Sequence, residues 1–388
     1  LLWVTQPASS QAAGANWAPF TVEVTDAYNN RRTSDNSTVV TLSVVTGTSI
    51  FAAGLTATAS SGLATFSATS YNKVETINIR ATATGLTPTS TTGNIAVIIG
   101  PATKLLWVTQ PGTAQTAGTN WATFTVEVAD QYNNRRTSDN TTVVTLSVVT
   151  GTNAFAAGQT ATASSGLATF SATLYNKAET INIRATAVAL SATTTTGNIA
   201  VNPGVATKLL WVTAPATPQT AGANWAPFTV EVTDANNNRR TSDNSTVITV
   251  TRVAGTSAFA SGYTATASAG LATFNALKYN KAEAITVKAT SAGLSDTSTT
   301  GNIAVNPGTA TKLLWVTAPA TPQAAGIPWS SSIRITDQYD NTVNSSAVVT
   351  LTIVAGTGSF VSGYTATASA GLATFSSTLY NKAETITV

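Results

Sequence analysis

Acidic side chains carry most of the chemical capacity of this sequence, because histidine, cysteine and methionine are all absent. Their absence removes imidazole bases, thiolate nucleophiles and soft metal ligands. Fourteen of the 16 acidic residues recur at matching places in successive copies of one repeat. The recurring positions are Glu23, Glu127 and Glu231; Asp26, Asp130, Asp234 and Asp337; Asp35, Asp139 and Asp243; and Glu75, Glu179, Glu283 and Glu384.

The catalytic side chains of an enzyme are expected to occur as one set, in one cleft. Carboxylates that recur in every copy do not form such a set. No second, unlike domain is present to build such a cleft, and the sequence lacks a G-x-S-x-G motif and a Gly-rich phosphate loop. The sequence therefore predicts a protein that is not an enzyme, with no catalytic residues and no cofactor.

Calcium binding is the one metal hypothesis that the carboxylates permit. The stretch "DAYNN" at Asp26, together with nearby Asp35, supplies the oxygen ligands that calcium prefers. Asp and Asn side chains in turns more commonly hydrogen-bond to their own backbone. We therefore predict self-bonded turns and no metal site.

Four N-x-[ST] sequons lie in the same exposed loop of each copy and are candidate N-glycosylation sites. The alternative is that loops rich in Ser and Thr form sequons by chance, and that copying multiplied one accident. The four residues are Asn36, Asn140, Asn244 and Asn344.

Two charge pairs are suggested by the copies. In the fourth copy Arg334 replaces the counterpart of Glu23, and the Arg31 and Arg32 pair is missing too. This joint loss predicts that Glu23 pairs with the arginines across a hairpin in the other copies. Glu75 beside Lys73 is interpreted as a surface ion pair that contributes little.

Tryptophan reveals the period of the repeat that carries these residues. All eight Trp residues fall into two series spaced 104 residues apart. A period of this length is too long for one solenoid turn and matches a whole small domain. The series are Trp3, Trp107, Trp211 and Trp315, and Trp17, Trp121, Trp225 and Trp329.

Each copy has the alternation of a half-buried β-strand. "FTVEV" alternates apolar and polar residues, "TVVTLSVV" places Val40 and Leu42 on one face, and "ETINIRATA" places Ile77, Ile79 and Ala81 inward. Turn signals separate these runs, and no stretch has a helical period. About seven short strands per copy predict an all-β, immunoglobulin-like sandwich.

The order "TVEVTDAYNNRRTS", "GLATFSAT", "ETINIRATA" resembles the bacterial immunoglobulin-like modules of invasin- and intimin-type surface proteins. The resemblance covers all four copies, the last only in part. The family's D-x-x-G-N turn appears here with Asn or Asp in place of Gly, residues that tolerate a left-handed backbone. The resemblance implies a role as a stalk, a spacer or an adhesive tip.

The copies predict four modules, at 1–99, 100–203, 204–307 and 308–388, the last without its closing strand. Linkers of about six residues with Pro or Gly are stiff, so we expect the sandwiches to form a linear rod. The counterpart of residues 80–103 is absent from the fourth copy. We therefore expect the 388 residues to be a segment of a longer array of repeats. Strand addition from a neighbouring chain is the alternative.

The run "LLWVT" begins each copy, and its apolar residues on both strand faces predict that both are covered. Trp3, Trp107, Trp211 and Trp315 are therefore candidates for packing on their own module, at the joint between modules, or between chains. The second Trp series precedes "FTVEV" and is predicted to plug one end of the sandwich.

Composition limits the partners. Charged residues make up 9% and the net charge is +3, with no basic run longer than two residues, so no nucleic-acid partner is predicted. No apolar stretch reaches the roughly 20 residues of a membrane span. We expect an extracellular, cell-surface protein that forms the repeating body of a fibre or stalk, through self-association or continuation of the array. The alternative is an adhesin that binds glycans or host proteins.

Overall fold

A computed structural model describes all residues, 1–388, and consists of strands and turns without a helix. Two compact units, Leu1–Asn202 and Pro203–Val388, contain two copies of the repeat each. The prediction of an all-β chain of tandem sandwiches is confirmed. The structure contains no helix with the length and apolarity that a membrane crossing requires.

The first unit contains sixteen strands, eight in each repeat. In the first repeat they are β1 (Leu2–Thr5), β2 (Ser10–Ala12), β3 (Phe20–Glu23), β4 (Val39–Thr46), β5 (Thr56–Thr58), β6 (Leu63–Phe66), β7 (Thr76–Thr82) and β8 (Ile95–Ile98). In the second they are β9 (Lys104–Thr109), β10 (Ala114–Thr116), β11 (Phe124–Ala129), β12 (Val143–Thr150), β13 (Thr160–Thr162), β14 (Leu167–Phe170), β15 (Thr180–Thr186) and β16 (Ile199–Asn202).

In the second unit, the third repeat follows the same order with two added short strands, and the fourth repeat has six strands. The third repeat has β17 (Lys208–Thr213), β18 (Gln219–Thr220), β19 (Phe228–Thr233), β20 (Val247–Ala254), β21 (Phe259–Ser261), β22 (Thr264–Thr266), β23 (Leu271–Phe274), β24 (Lys278–Tyr279), β25 (Ala284–Thr290) and β26 (Ile303–Asn306). The fourth has β27 (Lys312–Thr317), β28 (Trp329–Thr336), β29 (Val348–Thr350), β30 (Phe360–Ser362), β31 (Thr365–Thr367) and β32 (Leu372–Tyr380).

Each of the first three repeats folds into two facing sheets. In the first repeat, a three-stranded sheet in the order β1-β3-β6 faces a five-stranded sheet in the order β2-β8-β7-β4-β5. The second and third repeats have the same pair of sheets, and the third adds the short ribbon β21-β24. In the fourth repeat, the sheets are β27-β28-β32-β30 and β29-β31.

The core lies between the two sheets and follows the alternation of the sequence. Ile77, Ile79 and Ala81 of β7 are fully buried, as their spacing predicts. The ring of Phe20 stacks on that of Phe66 across β3 and β6, with centroids 5.2 Å apart. Trp17 is buried and contacts the ring of Phe51 edge-on, and its position as a plug at one end of the sandwich stays a prediction.

The first apolar run forms the first strand of each repeat, as predicted, and in the first three repeats a short second strand follows it that was not predicted. β1 pairs antiparallel with β3, whereas β2 crosses to the other sheet and pairs parallel with β8. Pro7 lies between the two strands and has no backbone N–H to donate to a ladder. The break explains why eight strands are present in the first two repeats, rather than the expected seven.

Candidate functional site: the turn at the joint between repeats

The turn of residues 26–30, here called the joint turn, is held by its own aspartate. Asp26 Oδ1 accepts hydrogen bonds from the backbone N–H groups of Tyr28 and Asn30, both at 2.9 Å. Asn29 adopts the left-handed backbone conformation with a φ of 69°. These contacts confirm the prediction of a self-bonded turn and the prediction that Asn can stand in for Gly there. The counterparts are residues 130–134, 234–238 and 337–341.

In the second repeat, the joint turn also reaches the first repeat. The side-chain amide of Asn134 donates from Nδ2 to the carbonyl of Asn72 at 2.8 Å, and its Oδ1 accepts from the backbone N–H of Val74 at 3.1 Å. One side chain thus satisfies a backbone acceptor and a backbone donor, as a neighbouring strand would. The two repeats of this unit are joined by this bridge.

An aromatic side chain of the same turn packs beside the bridge. The hydroxyl of Tyr132 donates to the carbonyl of Gly14 at 3.2 Å. Gly14 has a φ of 71°, and a Cβ atom on it would lie 1.6 Å from Cε2 of Tyr132. A side chain at this position would therefore displace the tyrosine, so the joint requires glycine here.

The second unit forms the same joint independently. Nδ2 of Asn341 donates to the carbonyl of Asn280 at 2.7 Å, and its Oδ1 accepts from the N–H of Ala282 at 2.8 Å. Tyr339 lies over Gly222, where a Cβ atom would fall 2.1 Å from the ring. The same contacts therefore connect the two repeats in each of the two units.

The linker between repeats is bonded to the joint turn as well. In the first unit, Arg136 donates to the carbonyl of Gly100 at 3.1 Å, and the N–H of Gly100 points to Oδ2 of Asp130 at 3.4 Å. In the second unit, the N–H of Gly308 donates to Oδ2 of Asp337 at 2.8 Å. The aspartate that holds the turn therefore also holds the chain that leads into it.

Asn134 contacts the acceptor loop, residues 71–75, which is held in place by the half-buried carboxylate of Glu75. The hydroxyl of Tyr71 donates to Oε1 of Glu75 at 2.5 Å, and Thr48 donates to the same carboxylate from its N–H and its hydroxyl, at 3.0 and 2.7 Å. The peptide groups that contact Asn134 lie between Tyr71 and Glu75 in the chain. The counterparts of this loop are residues 175–179, 279–283 and 380–384.

These hydrogen bonds shift the pKa values of Glu75 and Tyr71 in opposite directions. Partial burial alone would raise the pKa of Glu75, but the hydrogen bonds from Tyr71 and Thr48 outweigh it and lower the pKa to about 2. Burial and the adjacent carboxylate raise the pKa of Tyr71 to about 12. Lys73 stands 3.8 Å from the carboxylate, so the predicted ion pair is long. The interpretation of Glu75 as a surface partner of Lys73 therefore missed its main contacts.

The other predicted charge pair is confirmed. Arg31 Nε lies 2.9 Å from Oε2 of Glu23, and the same pair forms at 2.8 Å between Arg135 and Glu127 in the second repeat. Arg239 and Glu231 repeat it in the third. Such partly exposed pairs stabilise a fold by at most about 1 kcal/mol.

The first tryptophan series lies on its own sandwich in the first three repeats. Trp3 donates from Nε1 to the carbonyl of Ser90 at 2.9 Å, and its ring lies 6.1 Å from that of Phe20. Trp107 and Trp211 make the equivalent bonds. Trp315 is more open, with 42% of its surface exposed. Packing of these rings between modules or chains stays a prediction.

The sequons lie in loops that the asparagines themselves help to close. Asn36 Oδ1 accepts from the N–H of Ser61 at 2.8 Å, and Asn140 and Asn244 make the same contact in their repeats. Asn344 is exposed in the corresponding loop, where the carbonyl of Ser345 receives the N–H of Gly371 at 3.0 Å. Glycosylation at these four asparagines stays a prediction.

No group of three or more acidic side chains is placed to hold a metal ion. Asp35 Oδ1 instead accepts from the N–H groups of Ser37 and Thr38, at 3.0 and 2.9 Å. We expect the thermal melting curve to be the same in EDTA and in millimolar calcium, because these oxygens already have donors. A rise in melting temperature with calcium would contradict this prediction.

Comparison with known proteins finds similarity to solved structures only. No family model and no curated protein matches the chain. Among solved structures, the chain is similar to the Escherichia coli adhesin FdeC, with 14% identity over 78% of this chain and 95% of that chain and a TM-score of 0.34. It is similar to the bacterial integrin-binding protein invasin, with 13% identity over 86% of this chain and 67% of that chain and a TM-score of 0.32. Yersinia pseudotuberculosis InvD matches with 18% identity, over 73% of this chain and 89% of that chain, with a TM-score of 0.32.

Proposed function

We propose that this chain is the repeating body of an extracellular fibre or stalk, and that its task is mechanical: to hold attached parts at a distance from a cell surface. The observation that carries the proposal is the joint turn. In the first unit it bonds to backbone groups of the preceding repeat at Gly14, Asn72 and Val74. It also bonds to the linker at Gly100.

Joints of this kind suit a spacer because they oppose bending. A linker of a few residues whose peptide groups are bonded to the following repeat has little freedom to swivel. The proposal includes no catalytic role, because the recurrent carboxylates hold turns and loops instead of meeting in a cleft.

Adhesion is the second candidate, and FdeC is an adhesin. A binding surface would be expected to use unlike, exposed side chains on one repeat. The exposed loops of this chain are close copies of each other, for example "DAYNNRRTSDNST" and "DQYNNRRTSDNTT". We therefore rank adhesion below the structural role.

Small-angle X-ray scattering tests the proposed role. We expect the chain to have a maximum dimension several times that of one repeat, because a strand of eight residues spans about 27 Å and four sandwiches in line reach roughly 110 Å. A compact particle with the repeats folded against each other would contradict the proposal. Flow or glycan-binding assays that detect specific binding by a single repeat would favour the adhesin instead.

A further inference from the structure

The larger sheet of each of the first three repeats ends in a short strand whose outer side has no neighbouring strand. In the first repeat this strand is β5, which pairs with β4 and stands last in the sheet. β13 and β22 hold the same place in the second and third repeats, and β31 lies beside β29 in the fourth. We call these four strands the free edges. Their residues are Thr56–Thr58, Thr160–Thr162, Thr264–Thr266 and Thr365–Thr367.

The backbone of a free edge directs half of its hydrogen-bonding groups away from the sheet. In the first repeat, the N–H of Leu42 in β4 donates to the carbonyl of Leu55 at 2.8 Å. Because the bonded positions alternate along an antiparallel strand, Leu55 and Ala57 face β4. The N–H and C=O groups of Thr56 and Thr58 therefore face outward, and they have no partner in the structure.

The side chains also leave the outer side of the edge open. Thr56 and Thr58 are exposed and Ala57 is half-buried, and the other three free edges have the same pattern and the same three residue types. Thr41 of β4 lies opposite Thr56 on one side and opposite Thr82 of β7 on the other. A row of threonines thus crosses the sheet to its edge. A strand added there would continue the row with β-branched side chains, which suit a sheet.

Charge and proline, which commonly protect an exposed edge, are absent around these strands. Natural edge strands often carry Lys or Pro, which prevent another chain from pairing with them. The first, second and fourth free edges lie within 36–72, 140–176 and 341–381, and none of these stretches contains a charged residue or a proline. Around the third free edge, Arg252 is the one charged residue within 244–277. A second copy of the chain therefore meets little electrostatic repulsion at these edges.

We propose that the free edges are interaction surfaces for a second copy of this chain, which pairs with them antiparallel, edge against edge. Such an edge is complementary to itself, because a two-fold rotation places donors opposite acceptors. With Thr56 of one copy opposite Thr58 of the other, all the outward N–H and C=O groups of both edges find partners. The contact is a strand addition between identical edges, and it extends the larger sheet across two chains.

Repetition of the edge along the chain compensates for its shortness. One edge of three residues forms few hydrogen bonds, so a single pair of edges is weak. The equivalent residues Thr58, Thr162 and Thr266 are 104 residues apart, so two extended chains can pair at more than one repeat. Each pair after the first then forms at a high local concentration. The inference rests on the proposed role as the body of a fibre, and it names the surface through which such chains bundle side by side.

Sedimentation equilibrium of the chain Leu1–Val388 over a range of concentrations tests the inference. We expect a reversible dimer. Small-angle scattering should give this dimer a larger cross-section than the monomer with a similar maximum dimension, because the chains lie side by side. The triple variant Thr58→Lys, Thr162→Lys, Thr266→Lys places like charges on three of the four free edges. It should weaken dimerisation at least about 10-fold.

A matched control carries the same three charges at another place. Thr91, Thr195 and Thr299 are exposed threonines between the last two strands of the same three repeats. The triple variant Thr91→Lys, Thr195→Lys, Thr299→Lys has the same net charge as the edge variant and unchanged free edges. It should form the dimer as the parent chain does, so the comparison separates the position of the charge from its amount.

A proline variant tests the backbone bonds themselves. Thr58→Pro, Thr162→Pro, Thr266→Pro removes outward N–H groups that have no partner within the chain, and proline is tolerated at such positions of an edge strand. This variant should also weaken dimerisation. Circular dichroism shows whether each variant is folded, and the lysine variant decides the question if the proline variant is not.

Three outcomes would overturn the inference: a parent chain that stays monomeric, a dimer that persists in a folded edge variant, or equal weakening in the lysine control. Failure of this kind is distinct from failure of the proposed function. If the dilute parent chain is extended in scattering but the edges do not pair, the stalk proposal stands and the free edges are not its contacts. A compact particle at the same dilution rejects the stalk proposal itself.

Discussion

Replacing Asn134 with alanine is expected to release the first repeat from the second without unfolding either. The substitution removes both bonds of the bridge, to the carbonyl of Asn72 and from the N–H of Val74. Losing partners for such groups costs about 1–3 kcal/mol. Hydrogen exchange at the Val74 amide, followed by NMR, should therefore become about 10- to 100-fold faster.

The first repeat provides the matched control, because its joint turn has the same internal bonds and no bridge in this structure. Asn30 donates to Oδ2 of Asp26 at 3.1 Å, as Asn134 does to Asp130 at 2.8 Å. Tyr28 of this turn is 86% exposed. Asn30→Ala should leave exchange at Val74 unchanged, so the comparison isolates the bridge from the turn.

Flexibility at the joint can be measured directly, because the chain has no cysteine and spin labels can be placed at will. Thr65 and Thr169 are exposed threonines at equivalent positions of β6 and β14. In a Thr65→Cys, Thr169→Cys background, Asn134→Ala should broaden the distribution of distances between the labels, and Asn30→Ala should not. Equally narrow distributions in all three proteins would show that the bridge does not set the angle between repeats.

Acid is expected to destabilise the chain steeply between about pH 4.5 and pH 2. The carboxylates of Glu75, Glu283 and Glu384 have pKa values near 2 in the fold, against 4.5 for a free glutamate. Because the unfolded chain takes up these protons first, the stabilisation is complete above about pH 5 and is lost as the pH falls toward 2. Asp35 adds to the same limb, because the hydroxyl and N–H bonds of its loop lower its pKa to about 2.

Denaturant unfolding followed by tryptophan fluorescence measures this dependence at a series of pH values. Replacing the glutamates of all four acceptor loops, Glu75, Glu179, Glu283 and Glu384, with glutamine should reduce the fall in the free energy of unfolding at acid pH. The turn aspartates should account for the fall that remains. The variant Tyr279→Phe keeps the carboxylate of Glu283 but removes its phenol donor. It should cost about 1–3 kcal/mol at neutral pH and make the third repeat less sensitive to acid. If the quadruple variant follows the parent curve, the acceptor-loop glutamates are not the source of the acid sensitivity.

Several local features could be predicted from the sequence because neighbouring residues determine them. The alternation of Ile77, Ile79 and Ala81 fixed which face of β7 is buried, since successive side chains of a strand point to opposite faces. The joint turn was recognised from its Asp and Asn residues, whose short side chains reach their own backbone. Glu23 and Arg31 could be paired because both are missing from the fourth copy.

The contacts of the candidate site were not predictable in the same way. Each residue of the acceptor loop was visible in "YNK" and the following glutamate, yet the ion pair with Lys73 was the contact inferred from adjacency. The ion pair with Lys73 is present at 3.8 Å, but the hydrogen bonds to Glu75 come from Tyr71 and Thr48, and Thr48 lies 27 residues away in the chain. Side-chain identity alone does not show which of several donors a fold brings to one carboxylate.

The sequence by itself therefore determined the repeat, the all-β sandwich and the faces of its strands, because these follow from spacing within a few residues. The tertiary structure decided the joint and the parallel pairing of β10 with β16. Asn134 meets peptide groups some 60 residues away, and Ala117 meets the carbonyl of Asn202. The physical reason is that the partners in both cases are backbone groups. Every residue carries a carbonyl and nearly every residue an N–H, so such contacts leave no pattern of residue types until the fold has placed them.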